Sequence, residues 1–153
     1  MSANSRSPEQ DRFILHITSS DKWRTQRPAG DRGSGGFRDP SLDTEGFIHC
    51  STVDQFLIPA NERFVGRNDL VLLVIDTDRL EREPIYEDCY ESGTRFPHVY
   101  GPIPMEAVID VVDLPPDDDG RFSEPVTLRS DLAVLAATDH RVTSRPDQRR
   151  RMG

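Results

Sequence analysis

Hydrophobic and polar residues alternate from Phe13 to Thr18, with Phe13, Leu15 and Ile17 on one side and Ile14, His16 and Thr18 on the other. A period of two predicts a β-strand, and it turns His16 away from the face that carries Leu15. Ser19-Ser20-Asp21 then offers an N-cap, which predicts a short helix over Lys22–Gln26 whose Trp23 packs back on the sheet. Four glycines and a proline fall between Pro28 and Gly36, the composition of a mobile loop.

Gly46–Cys50 reads as a compact apolar strand that runs straight into a helix start at Ser51-Thr52-Val53-Asp54-Gln55, where hydroxyl and carboxylate groups can cap free N–H groups. Phe56, Leu57, Ala60 and Phe64 recur at helical spacing, Pro59 kinks that segment or begins a second helix, and Gly66 closes it. Asp69–Asp76 is a continuous Leu/Val/Ile run with polar ends, the pattern of a central strand covered on both faces. Pro84–Glu87 and Val108–Leu114 predict two more strands, the second β-branched. Pro115-Pro116 and Asp117-Asp118-Asp119-Gly120 form a turn before weaker elements near Val126–Leu135. Strands and helices that do not alternate regularly predict an α+β fold rather than a doubly wound sheet.

A chain of 153 residues fits one domain, and a hydrophobic share of 35% implies that part of it adds little to a core. The ends lack periodicity, so residues 1–12 are expected to be a disordered arm, residues 13–137 the domain, and residues 138–153 a disordered tail ending in Arg149-Arg150-Arg151. A net charge of −8 disfavours nucleic acid, because binding phosphate backbones needs clustered cations. Lys22 is the only lysine, so most positive charge sits on arginine. The polar N-terminus has no apolar signal core and the longest apolar run, Leu70–Ile75, is too short for a bilayer, so no membrane partner and a cytoplasmic location are expected. Two cysteines, Cys50 and Cys89, are too few for a disulfide framework and read as reduced, packed thiols. No heptad seam or large apolar patch is legible, which leaves the oligomeric state open.

Polar residues interrupt three apolar segments: His16 in the first strand, His49 with Ser51 and Thr52 at the end of the second, and Arg95, His98 and Tyr100 around Phe96-Pro97-His98-Val99-Tyr100-Gly101-Pro102. Phe47, His49 and Ser51 share one face, and a helix starting after Ser51 would present N–H groups suited to phosphate or carboxylate. The proline-stiffened segment from Arg95 looks like one wall of a pocket. Taken singly, a strand histidine is more often a hydrogen-bonded core residue than a catalyst, Ser51 and Thr52 can be plain caps, and Glu87 can be an ordinary surface carboxylate. The spacing of His16, His49 and His98 does not support a zinc site, and no phosphate-cradling loop, dinucleotide turn or nucleophile elbow is present.

The order of Ile14-Leu15-His16-Ile17, Ser41-Leu42, Glu45-Gly46-Phe47-Ile48-His49-Cys50-Ser51-Thr52 with Gln55, Leu70–Asp76 and Phe96–Pro102 resembles the bacterial family known as domain of unknown function 952, over roughly Phe13 to Val112. That family in turn resembles the ADP-ribosyltransferase fold, an α+β split β-sandwich with short flanking helices around an NAD-binding cleft. The resemblance implies that His16 holds a ribose, that Ser51 and Thr52 shape the nicotinamide side, and that Glu87 steadies the ribosyl cation as charge develops. Tyr100 or Phe47 would stack on the departing ring. His49 and the Phe96–Pro102 segment have no counterpart in that scheme.

Three readings result. The first is a small-molecule nucleotide site, for NAD or ADP-ribose, with NAD as substrate of ADP-ribosyl transfer or hydrolysis and no certain cofactor. Its expected residues are His16 and Glu87 for catalysis, and His49, Ser51, Thr52, Arg95, His98 and Tyr100 for binding. The second is a non-catalytic sensing or protein-interaction module on the same fold. The third is a metal-assisted hydrolase built on the three histidines. An enzyme of the first kind should turn the Glu87 carboxylate into the cleft that holds His16 and Ser51.

Overall fold

The computed structural model describes residues 12–29, 36–88 and 91–143. Its elements in chain order are β1 (Phe13–Ser19), α1 (Ser20–Ala29), α2 (Pro40–Thr44), β2 (Ile48–His49), α3 (Leu57–Arg63), β3 (Leu70–Asp76), β4 (Ile85–Glu87), β5 (Phe96–Val99), β6 (Val108–Asp113) and α4 (Leu128–Thr143). The chain divides after Ser123 into a first unit that holds every strand and a second that holds α4. In the second unit Arg129 Nε donates to Glu124 Oε2 at 2.9 Å, and the Asp131 amide donates to the Thr127 carbonyl at 2.8 Å.

The first unit is α+β, with two antiparallel three-stranded sheets in the orders β1-β3-β6 and β2-β5-β4. β3 takes the centre of its sheet because it can be covered on both faces: all seven of its residues are buried, including the terminal Asp76. β1 pairs with it in one unbroken register from Phe13↔Asp76 to Ser19↔Leu70, while β6 pairs on the other side with a register shift at Val74/Ile75. Ile14, Leu73 and Ile75 from this sheet pack with Ile48 and Val99 from the other, joined by Trp23, Phe37 and Ile103.

Among the described residues one isolated antiparallel bridge, Leu15↔Ser51, joins β1 to the chain just after β2. The Leu15 amide donates to the Ser51 carbonyl at 2.7 Å, and the Ser51 amide returns a bond to the Leu15 carbonyl at 2.8 Å. The rest of β1 is bonded the other way: its ladder to β3 is closed by Thr77 N–H to the Arg12 carbonyl and Ser20 N–H to the Asp69 carbonyl, both 2.8 Å. Even-numbered residues of β1 therefore bond to β3, and odd-numbered ones face the opposite edge. Beyond the Leu15–Ser51 bridge that edge is open at Ile17 among the described residues.

The Ser19 cap is present, its hydroxyl accepting from the Lys22 amide at 3.0 Å, and Trp23 is buried as expected. α1 runs on to Ala29, past the predicted end of the helix. The strand-to-helix junction at Ser51 is a correction. β2 is paired only at Ile48 and His49, and after Ser51 the chain makes turns before α3 begins at Leu57. The Gln55 side chain folds back to accept from the Thr52 amide at 3.1 Å, the reciprocal bond of a capping box, around a turn in which the Phe56 amide donates to the Thr52 carbonyl at 3.1 Å. α4 also continues beyond the expected domain end, to Thr143. The expected N-terminal arm up to residue 11, the tail from residue 144 with its arginine run, the centre of the glycine-rich loop and Cys89 lie outside the described residues.

Candidate functional site

β1, β2 and β5 converge on a cavity of about 520 Å³, roofed by α3 residues including Pro59, Glu62 and Arg63 and closed at its sides by Lys22, Asp39, Ser92 and Thr94. Such a volume is in the range of small-molecule sites. His16, His49, Ser51 and His98 all line it. Register explains the meeting: β2 and β5 place His49 opposite His98, and the Leu15–Ser51 bridge fixes β1 beside β2.

Each of the three imidazoles faces a carboxylate. His16 Nε2 lies 3.0 Å from Asp39 Oδ2, His49 Nε2 lies 3.2 Å from Glu45 Oε1, and His98 Nδ1 lies 2.7 Å from Glu87 Oε1. His16 also places Nδ1 2.6 Å from the His49 carbonyl. A carbonyl and a carboxylate both accept, so each ring nitrogen of His16 faces an acceptor. Burial opposes the charge on Asp39, but the hydrogen bond and charge of His16, with Lys22 Nζ 3.7 Å away, outweigh it and hold the carboxyl below its ordinary range.

Burial pushes the His49 ring below its ordinary range despite the opposing pull of Glu45. Cys50, buried among core residues beside it, has its thiol pushed well up by burial and then by the Asp39 charge, which rules it out as a ready nucleophile. On the other side, Phe47 stacks on His98 at 4.1 Å between centroids and 14° between planes, with Tyr100 tilted against Phe47 at 5.2 Å. Tyr100 donates its hydroxyl to Glu87 Oε1 at 2.7 Å, the same oxygen that takes His98. Bonds from Tyr100 and then His98 hold the Glu87 carboxyl below its ordinary range.

The expected residues therefore part into two groups. His16, His49, Ser51 and His98 share the cavity, whereas Thr52, Glu87, Arg95 and Tyr100 are not among its lining residues. Arg95 is exposed, and its carbonyl accepts from Gln55 Nε2 at 2.6 Å. Glu87 stands one hydrogen bond removed from the cavity, behind the His98 ring that it holds. Ser51 is almost fully buried yet lines the cavity, and among the described residues no hydrogen bond reaches its hydroxyl. Nor is the N-terminus of a helix available at Ser51, since α3 starts later. His16 spends both ring nitrogens on protein groups and can serve as a metal ligand only by giving one of them up.

Residues 17–111 match the family described as protein of unknown function (DUF952). The chain belongs to that family. Its fold is similar to the crystal structure of protein CC0527 from Caulobacter crescentus, which is 30% identical, covers 79% of this chain and 98% of its own, and superposes with a TM-score of 0.64. The crystal structure of a double-methionine variant of CC0527 gives 0.63 at the same identity and coverage. The solution structure of CC0527 gives 0.55, with 29% identity over 77% of this chain and 96% of its own. No curated protein matches. The family match begins at Ile17 and ends at Val111, so it contains β2, β5 and the whole of α3, and it excludes α4.

Four site residues escape the sequence pattern. Asp39, Lys22, Glu45 and Arg63 carry the charges around the imidazoles, yet none interrupts an apolar run. Asp39 alone has a local signal: it precedes Pro40 at the start of α2, where an aspartate and a proline commonly open a helix. No described helix is long and apolar enough to cross a membrane.

Proposed function

We propose that this domain binds a pyridine nucleotide or an ADP-ribose-bearing ligand in the cavity between β1, β2 and β5. The observation that carries the reading is the basic content of this lining in a chain of net −8: Lys22, Arg63 and Arg67 stand beside Asp39 and Glu62, with Arg67 paired to Asp69 at 2.8 Å and Lys22 3.7 Å from Asp39. Anionic phosphates are the ligand class that such a lining selects. Two further features suit the rest of the molecule. Periodicity turns the Ile17 N–H and C=O off the open edge of β1 beside Ser51, a donor and acceptor side by side that complement a carboxamide such as that of nicotinamide. Ser51, a largely buried residue on the cavity lining, adds a hydroxyl for a ribose or amide partner. Two three-stranded antiparallel sheets joined at Leu15–Ser51 around a cleft support the comparison with the split sandwich of ADP-ribosyltransferases.

Transfer or hydrolysis of the ADP-ribosyl group is the catalytic form of this reading. The non-catalytic form, a sensing module, is favoured by one observation: the Glu87 carboxylate is absent from the cavity lining and is engaged by His98 and Tyr100, so the glutamate that the resemblance assigns to the ribosyl cation does not face the site. Calorimetric titration with NAD, ADP-ribose and nicotinamide tests binding, and chromatographic detection of free nicotinamide after incubation with NAD separates the two forms. The expected result is binding of NAD and ADP-ribose that weakens in R63A. Absence of binding by all three at millimolar concentration would overturn the proposal.

A further inference from the structure

Thr18 is 3% exposed in β1, and its Oγ1 is a buried oxygen with no hydrogen-bond partner. The strand itself has no need of a hydroxyl there. Thr18 pairs through its backbone with Val71 of β3, and a valine side chain would fill the same space without stranding a polar atom. An orphaned hydroxyl costs the free fold stability, so its presence calls for a partner that the chain does not supply.

Thr18 lines the cavity, as do His16, Lys22 and Asp39. His16 and Thr18 share the even-numbered face of β1, about 7 Å apart along the strand. His16 Nε2 lies 3.0 Å from Asp39 Oδ2, and Lys22 Nζ lies 3.7 Å from that same oxygen, which brings the ammonium to the Thr18 side of the cavity. At 3.7 Å the lysine makes an ion pair but no hydrogen bond, so its three donors are unspent among the described residues. A hydroxyl and an ammonium, both able to donate, therefore stand on one wall, and the carboxylate between the lysine and β1 already has His16 as its partner.

We propose that Thr18 and Lys22 form an oxyanion subsite of the cavity that takes a phosphate oxygen of the bound ligand. This deepens the nucleotide reading, on which it rests for the source of the phosphate, and it seats the diphosphate beside the end of β1. A phosphate oxygen only accepts, so it can take the Thr18 O–H and a Lys22 N–H together, and the charge on both partners strengthens the second bond. The threonine hydroxyl turns to the ligand by a change between staggered χ1 wells. Asp39 keeps His16 when the ammonium turns away, so no buried carboxylate is left without a hydrogen bond.

T18V, which removes the hydroxyl and keeps the shape, separates this role from a structural one. The expected T18V protein unfolds at a higher urea midpoint than the wild type, because the orphan is gone, yet binds ADP-ribose with a Kd raised about tenfold, the scale of one hydrogen bond. T18S, which keeps the hydroxyl, should retain the wild-type Kd, and K22M should weaken binding as T18V does. A T18V or K22M protein that binds ADP-ribose as the wild type does would overturn the subsite and leave the nucleotide reading standing. A lower urea midpoint in T18V would overturn it too, since the hydroxyl would then be bonded within the fold. If ADP-ribose fails to bind the wild type, the nucleotide reading falls and inorganic diphosphate decides: binding followed by amide chemical shifts that weakens in T18V supports the subsite, and no binding or equal binding overturns it.

Discussion

His16 and Asp39 face each other at 3.0 Å, and through this contact an edge strand, the start of α2 and the β2 carbonyl at His49 are tied into one cluster. The contact is electrostatic as well as structural, since both side chains are largely withdrawn from water.

Replacing Asp39 with alanine leaves the buried His16 Nε2 without its partner, which should cost about 2 kcal/mol of stability on the scale of unpaired buried polar groups. Urea denaturation at pH 7 measures it. The pH dependence has a definite sign. Asp39 has a folded pKa below its ordinary 3.8, so its contribution is present above that value and is lost as pH falls through the folded value. D39A should lack this component of acid sensitivity, and a D39A curve that parallels the wild type between neutral pH and pH ~3 would refute the assignment.

His49 acts in the same sense at higher pH. Its folded pKa lies below 6.5 because burial disfavours the cation, so the unfolded chain binds more protons in the interval between the folded value and 6.5, and stability rises with pH across it. Proton NMR of the ring should show a midpoint under the ordinary value. E45A removes the group that opposes the shift and should lower the midpoint further.

Gly36 sits at φ +97°, and a Cβ there would come within 2.6 Å of the Ile103 carbonyl oxygen, part of the backbone where Phe37 and Ile103 exchange bonds. G36A therefore combines a left-handed conformation with a backbone clash, and we expect a loss of about 2 kcal/mol or more. Thermal denaturation followed by circular dichroism provides the measurement.

Leu73 lies fully buried in the middle of β3 and packs in the core cluster. L73A should cost about 3 kcal/mol, the transfer term plus the cavity it leaves. A loss below about 1 kcal/mol would mean that the sheet collapses readily around the gap.

Cys50 gives a chemical probe of the same core. Its raised pKa and burial predict no reaction with a thiol reagent at pH 8 in a C89S background, and full labelling in denaturant. Rapid native labelling would show that the reagent reaches Cys50 through the cavity it lines.

Legibility in the sequence follows range. β1 and β3 were readable because strand alternation and a continuous apolar run are local patterns, and the Ser19 cap and Trp23 followed from a few neighbouring residues. The helix start read at Ser51 was right in its local chemistry and early in position: Gln55 does fold back on the Thr52 amide as a capping sequence should, but the chain turns through residues 53–56 before α3 begins at Leu57. Gathering His16, His49, Ser51 and His98 as candidates rested on polar residues in apolar segments, and all four line the cavity. Thr52, Arg95 and Tyr100 shared that signal without reaching it.

By itself the sequence determined the class of fold, the central strand and the identity of the cavity's imidazoles, since hydrophobic period and polar interruption are written along the chain. Only the tertiary structure decided what each imidazole is bonded to. His16 to Asp39 spans 23 positions and His98 to Glu87 spans 11, and such pairings depend on strand register and on which side of a sheet a loop returns to. Hydrogen bonds are short and directional, so a shift of one residue in that register would turn the side chain to the other face, and no local pattern encodes the outcome.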